Sequence, residues 1–225
     1  MCTWTSLLFG NKLANDKIKR IEITPVTKRL VLLTDYEMKV YQILKGQKSH
    51  DMSGQKGPIL KIITLEPEKM PMSKVHDDPK ILSCSLDNTI RFWDAKDMST
   101  IITMESPEES ELSCMTYLMN CGLVATGHED GEIRVWNLEI NSFVTLKCSE
   151  KNKHKNTISC IQGIIFKEAE FLLCGSFDGN VSVWEISKKS TNQSSMLNSS
   201  IFPQLRTVIY NYVPNKSDIL GNEIH

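Results

Sequence analysis

No stretch of this 225-residue sequence offers the roughly 18 uninterrupted apolar residues of a membrane helix. The opening MCTWTSLLFGNK lacks both the basic start and the long apolar centre of a secretory signal. There is no CxxC pair, no Gly-rich phosphate loop and no G-x-S-x-G turn of the serine hydrolases. Charge of neither sign dominates: 26 Lys and Arg against 27 Asp and Glu leave a net charge of -1, so whole-chain electrostatics favour neither nucleic acid nor an anionic membrane surface. These absences suit a cytosolic or cytoskeletal protein, and no cofactor is expected.

What is present is ordinary for a globular protein, 40% hydrophobic and 24% charged, with enough length to bury a sizeable core. Seven cysteines, an odd number, are scattered, and Cys84, Cys114, Cys160 and Cys174 lie inside strand-like apolar runs. They are expected to be reduced and to pack in the core rather than to form a disulfide framework.

The informative feature is a repeat. Residues 86–95 (LDNTIRFWDA), 129–138 (EDGEIRVWNL) and 177–186 (FDGNVSVWEI) place Asp87, Asp130 and Asp178 each six positions before Trp93, Trp136 and Trp184. A fainter copy, TDYEMKVYQI, sets Asp35 six before Tyr41. The Trp-to-Trp spacings are 43 and 48 residues, and Tyr41 precedes Trp93 by 52. A catalytic carboxylate occurs once, so an Asp that recurs at this period reads as architecture.

Each copy reads as a meander of short strands. In the last, 157–166, 170–177 and 180–186 are rich in apolar, β-compatible residues, and the FDGN between the second and third is a hairpin turn, because Asp and Gly tolerate positive φ. The triplet fits 112–118, 122–128 and 132–138, then 59–65, 80–86 and 89–95, and most weakly 18–24, 29–34 and 38–43. A β-prone run follows, as at 99–105 and 142–148, giving four antiparallel strands per unit. The proline-containing insertion 66–80 is a candidate contact surface, the Ser/Asn-rich 187–200 a flexible linker, and 205–213 one more possible strand.

A small-residue strand, an Asp-Gly turn and an alternating strand ending in Trp-Asp or Trp-Asn, repeated every 43 to 48 residues, resembles the WD40 repeat of the β-propellers. The resemblance spans 18–186 and implies an all-β propeller of about four blades (18–50, 59–105, 112–148 and 157–186), flanked by segments 1–17 and 201–225. Four units make an unusually small ring. The resemblance therefore implies an incomplete propeller: part of a longer product, one finished by segments 1–17 and 201–213, or one completed by a partner chain packed on the open side.

In this family a His before the first strand meets the turn Asp, a second-strand Ser or Thr and the Trp indole. The resemblance carries this set onto His154, Ser176, Asp178 and Trp184, with Asp130, Trp136, Asp87 and Trp93 as the matching positions in blades without such a His. Those aspartates are expected to find turn amides instead. A charge-assisted hydrogen bond is worth about 1.5–3 kcal/mol and a buried Trp about 4–6 kcal/mol, either enough to decide whether a blade holds.

Other readings compete. His154, Ser176 and Asp178 invite a hydrolase reading, although the nucleophile motif is missing. GHED (127–130) offers metal-ligand types but reads better as a solvated hairpin, and no metal is expected. Lys147, Lys151, Lys153 and Lys155 are interrupted by Glu150 and read as a solvated loop, as does the acidic ESPEESE at 105–111. FWDAK (92–96) approaches the W-D-x-R ending that resembles WD-repeat receptors of cullin ubiquitin ligases, with Lys96 in the place of Arg. The favoured expectation is a non-catalytic scaffold in a large assembly. Its degenerate repeats and long insertions look similar to WD-repeat proteins of ciliary axonemes.

Overall fold

The computed structural model describes residues 17–24, 27–35, 37–43, 48–52, 54–65, 79–106, 110–138, 140–146, 153–167, 169–187 and 204–208. They form sixteen strands. The first sheet contains β1 (Arg20–Thr24), β2 (Arg29–Leu33), β3 (Met38–Gln42) and β4 (Lys48–Met52), and the second β5 (Ile59–Leu65), β6 (Lys80–Ser85), β7 (Thr89–Asp94) and β8 (Thr100–Glu105). The third contains β9 (Leu112–Leu118), β10 (Leu123–His128), β11 (Ile133–Asn137) and β12 (Ser142–Thr145), and the fourth β13 (Ile158–Phe166), β14 (Ala169–Ser176), β15 (Val181–Ser187) and β16 (Gln204–Val208). Each sheet is an antiparallel meander in chain order, the form of a propeller blade, so the all-β reading with four blades holds. Among the described residues no helix is long and apolar enough to cross a membrane.

The repeated Asp sits where the chain must reverse. In the second, third and fourth blades the strand register is symmetric about it: Cys84 pairs with Ile90, Gly127 with Ile133 and Gly175 with Val181. The next residue takes positive φ, +62° at Asn88 and +82° at both Gly131 and Gly179. Its N–H closes the turn onto the carbonyl of Ser85, His128 or Ser176. Asn and Gly stand there because few other residues reach that region without strain. The first blade departs from this pattern: Leu33 pairs with Met38, so its hairpin has no central residue and Tyr41 faces Leu30.

The chain divides into two compact units at Thr103/Met104, inside β8. In the first unit, Val31, Leu33, Met38 and Val40 of the first blade pack with Ile59, Ile62, Ile81 and Trp93 of the second. Arg29 Nη1 donates to Ala95 O at 2.7 Å, and Ile59 N–H to Asp35 O at 2.9 Å. In the second unit Leu118, Leu123, Ala125, Ile133 and Val135 of the third blade meet Ile158, Ile161, Leu172, Cys174, Trp184 and Ile186 of the fourth. Gly127 makes this approach possible, since a Cβ there would lie 2.6 Å from Ile158. Ser113 Oγ then donates to Ile158 O at 2.7 Å.

Two expectations change. β16 is the fourth strand of the last sheet, antiparallel to β15, so the tail supplies the strand that completes that blade. Cys84 and Cys174 are buried in the core, but Cys160 is exposed, because the face of the last blade that carries it has no described neighbour. Residues 1–16, 66–78, 188–203 and 209–225 lie outside the described residues, and with them most of the insertion, the linker and the terminal segments read from sequence.

Candidate functional site

Three aspartates perform one local task. Asp87 Oδ1 accepts the N–H of Thr89 at 3.0 Å, Asp130 Oδ1 that of Glu132 at 2.9 Å and Asp178 Oδ1 that of Asn180 at 2.9 Å. Each carboxylate thus bonds its own backbone two residues on and fastens its hairpin. Two also reach outward to the segment leading into the first strand of the blade: Asp87 Oδ2 accepts Lys56 N–H at 2.5 Å, and Asp178 Oδ2 accepts Lys155 N–H at 2.9 Å. The corresponding residue of the third blade, 109, lies outside the described residues.

The three indoles, each 2% exposed, all donate to a hydroxyl. Trp93 Nε1 donates to Ser83 Oγ at 2.8 Å and Trp136 Nε1 to Thr126 Oγ1 at 2.8 Å, both acceptors lying ten residues upstream on the second strand. Ten before Trp184 stands Cys174, a poor acceptor. The hydroxyl comes instead from Ser182, directly across the ladder from Cys174, and Trp184 Nε1 donates to it at 3.0 Å.

In two blades a histidine extends this link. His154 Nε2 lies 2.8 Å from Ser182 Oγ, and its Nδ1 3.4 Å from Asp178. An indole can only donate, so Ser182 accepts from Trp184, and the imidazole stands between that hydroxyl and the Asp178 carboxylate. The third blade builds a parallel relay with a histidine that sequence reasoning left in a solvated hairpin. His128 is fully buried, its Nε2 3.0 Å from Thr126 Oγ1 and its Nδ1 3.2 Å from the carbonyl of Ser110.

Of the residues singled out from sequence, the structure brings His154, Asp178 and Trp184 together through Ser182. Ser176 stands apart from the imidazole: it closes the end of β14, and its hydroxyl donates to Asn156 O at 2.9 Å. Asp130 is exposed and serves its own turn, while the relay of Trp136 runs through Thr126 and His128. Thr126, His128, Ser182 and Ser83 were missed. Ser83 and Thr126 carried a readable signal, a hydroxyl ten residues before each Trp. Among the described residues no group of His, Cys, Asp and Glu is arranged to hold a metal ion.

The electrostatics follow from these contacts. Burial works against the Asp178 carboxylate, but the N–H groups of Lys155 and Asn180 and the nearby His154 outweigh it and hold its pKa down to about 2. Burial likewise opposes ionisation of Asp87, and the Thr89 hydroxyl with the N–H of Lys56 and Thr89 still keeps it below the ordinary aspartate range. His128 behaves differently. Burial, reinforced by the Arg134 guanidinium, lowers its pKa from 6.5 to about 4.

A folded pKa below the unfolded one means that protonation favours the unfolded chain. The contribution of His128 is intact above pH 6.5 and drains away as pH falls toward 4. Between pH 7 and pH 5 stability is expected to fall by about 2 kcal/mol. Urea unfolding of wild type and His128→Gln at the two pH values checks this, since the variant loses most of the dependence; an equal slope in both would remove His128 as its source.

Comparison with known proteins agrees with this geometry. The WD40 family, described as "WD domain, G-beta repeat", matches residues 71–94, 98–137 and 146–185. The chain is similar to the ribosome biogenesis protein WDR12 homolog of Dictyostelium discoideum, 28% identical over 49% of this chain and 23% of that protein. It is similar to COMPASS component SWD3 of Saccharomyces cerevisiae, 28% identical over 47% of this chain and 34% of that protein. It is also similar to cilia- and flagella-associated protein 52 of Bos taurus, 25% identical over 56% of this chain and 19% of that protein. The matched region is thus a fifth to a third of the length of these relatives. The crystal structure of the computationally designed Ika4 protein shares the fold, with a TM-score of 0.58 and 21% identity, covering 79% of this chain and 99% of that one. With four antiparallel blades, a repeated Asp-turn and buried indole, and three matched repeats, the chain belongs to the WD40-repeat family.

Proposed function

We propose that the chain is a non-catalytic protein-interaction scaffold, a WD-repeat subunit of a larger intracellular complex. The observation that carries this reading is the occupation of every candidate catalytic group. His154 is held between Asp178 and Ser182, Ser182 is held by the Trp184 indole, and Ser176 donates its proton to a carbonyl. A hydrolase needs its serine oxygen open to a substrate carbonyl; here the hydroxyl that meets the histidine is 2% exposed and holds a buried indole. Rigid blades that display loops offer binding surfaces without a common chemistry.

The test has two arms. Chemical cross-linking of the native complex is expected to join the chain in constant stoichiometry to larger proteins through its loops. Ser176→Ala is expected to cost about 1 kcal/mol in urea unfolding, the worth of its hydrogen bonds, with no hydrolysis of ester or peptide substrates in either form. Turnover by the wild type that disappears in Ser176→Ala at unchanged stability would overturn the reading.

A ciliary assembly is the narrower form of this proposal, supported by the similarity to cilia- and flagella-associated protein 52 of cattle, pig and human. A tagged chain concentrating on the axoneme supports it, and an even cytoplasmic distribution in ciliated cells rejects it. For the cullin-receptor alternative, Asp94 is the residue to test. Its Oδ2 accepts from Lys80 Nζ at 2.6 Å and its Oδ1 from Lys96 N–H at 2.7 Å, so the FWDAK carboxylate is engaged within its own blade.

A further inference from the structure

The outer strand of the fourth blade is joined to its sheet differently from the outer strands of the second and third. There β7 leads to β8 through residues 95–99, and β11 to β12 through residues 138–141, turns of five and four residues. In the second blade Asp94 N–H closes the turn onto Ser99 O at 2.9 Å, and Met98 N–H bonds Asp94 O at 2.9 Å. Positive φ at Met98 and Asn141, +64° and +47°, makes both reversals tight. In the third blade side chains fasten the strand further: the rings of Phe143 and Trp136 have centroids 4.5 Å apart, and the Arg134 guanidinium lies over Phe143.

β16 has no such turn. Residues 188–203, sixteen of them, separate it from β15. The local concentration of a tethered strand at its edge falls roughly as the −3/2 power of tether length. This connection therefore presents β16 at on the order of a sixth of the concentration that a five-residue turn gives.

The edge that β16 covers is fixed by its own blade. Trp184 and Ile186 of β15, each 2% exposed, belong to the core shared with the third blade. The acceptor strand is thus held by packing, while the strand it accepts arrives on a long tether. Main-chain N–H and C=O groups along such an edge pair with any extended segment, and the residues that face it across the ladder give selectivity. The register defines them: Trp184 stands opposite Thr207, Glu185 opposite Arg206 and Ile186 opposite Leu205. Unlike charges and paired aliphatic residues at directly opposed positions both favour antiparallel pairing.

We infer that the β15 edge is a strand-exchange site. An extended segment of a partner protein, basic opposite Glu185 and aliphatic opposite Ile186, displaces β16 and pairs antiparallel with β15. The inference rests on the scaffold reading and gives that scaffold a contact surface. The partner's segment completes the fourth sheet as β16 does, and β16 is the occupant it must outcompete.

The probe is a labelled synthetic peptide with the sequence of residues 201–210, IFPQLRTVIY. In the full chain, Arg206→Pro with Thr207→Pro disables β16, since neighbouring residues alternate in their bonding to β15 and one of the two prolines removes a ladder N–H. The peptide is expected to bind this variant about tenfold more tightly than the wild type, because the tethered competitor is gone. Adding Glu185→Lys weakens binding about threefold, and a peptide carrying Arg206→Glu restores it. Should the proline variant fail to fold, hydrogen exchange of the wild type decides: saturating peptide, distinguished by an isotope label, frees the amides of 204–208 and leaves those of 183–187 protected. Equal affinity for wild type and proline variant, equal binding of a scrambled peptide, or unchanged exchange at 204–208 overturns the inference. If the peptide fails while native cross-links to larger proteins persist, the exchange site is wrong and the scaffold reading stands. Peptide binding without any cross-linked partner upholds the site and overturns the scaffold reading.

Discussion

Ser182→Ala is expected to lower stability by about 3 kcal/mol, and Cys174→Ser in the same chain to recover most of that loss. The alanine leaves two buried groups without their partner, the Trp184 indole N–H and the His154 imidazole. Each orphaned polar group costs about 1–3 kcal/mol. The rescue follows from the ladder. Cys174 and Ser182 face each other across β14 and β15, and position 174 corresponds to Ser83 and Thr126, which serve the other two indoles from the second strand. A serine at 174 restores the acceptor from the strand that supplies it elsewhere. Cys174→Ser alone is expected to change stability by less than about 1 kcal/mol, since it adds a hydroxyl beside an existing one. Urea unfolding of the four chains as a double-mutant cycle reads out the coupling. If the two substitutions prove additive, the hydroxyls do not exchange roles and the relay described for the fourth blade is wrong.

Gly131→Ala is expected to cost about 3–4 kcal/mol, against about 1 kcal/mol for Gly179→Ala. Both glycines sit after the turn Asp at φ +82°, so both substitutions carry the strain of a Cβ in the left-handed region, about 1 kcal/mol or slightly more. Their surroundings differ. A Cβ at 179 meets nothing within 4 Å, whereas at 131 it would lie 2.5 Å from the carbonyl oxygen of His154 and 3.1 Å from that of Asn156. Backbone cannot swing aside as a side chain can, and this segment also supplies His154 and Lys155 to Asp178. Thermal unfolding of the pair separates the shared conformational cost from the collision specific to 131. Asn at 179 should be close to neutral, since Asn88 occupies the same position at φ +62°. Equal losses at 131 and 179 would mean that the His154 carbonyl does not close on Gly131.

These expectations rest on features that differ in how far they can be read from sequence. Asp87, Asp130 and Asp178 were legible as turn residues because an Asx turn joins a carboxylate to an amide two residues away, a contact that ignores the rest of the fold. The strands were legible for the same reason, alternation being a property of neighbours along the chain. Ser176 was assigned to the imidazole by position within a repeat, and the structure places Ser182 there. The substitution of a hydroxyl by Cys174 on one strand and its reappearance across the ladder can be recognised only once the register is known. His128 was misread as solvated because its place at the end of β10 resembles an open hairpin, although the third blade surrounds it completely.

From its residues alone this chain was committed to four antiparallel meanders, three of them with tight aspartate turns and inward indoles, since period, propensity and turn chemistry act over a few residues and need no partner. Tertiary structure alone decided which hydroxyl meets each indole, from which direction a histidine arrives, and that one apolar face of the last blade has no described neighbour. Those outcomes depend on register across strands and on the stacking of sheets, where residues remote in sequence come within bonding distance.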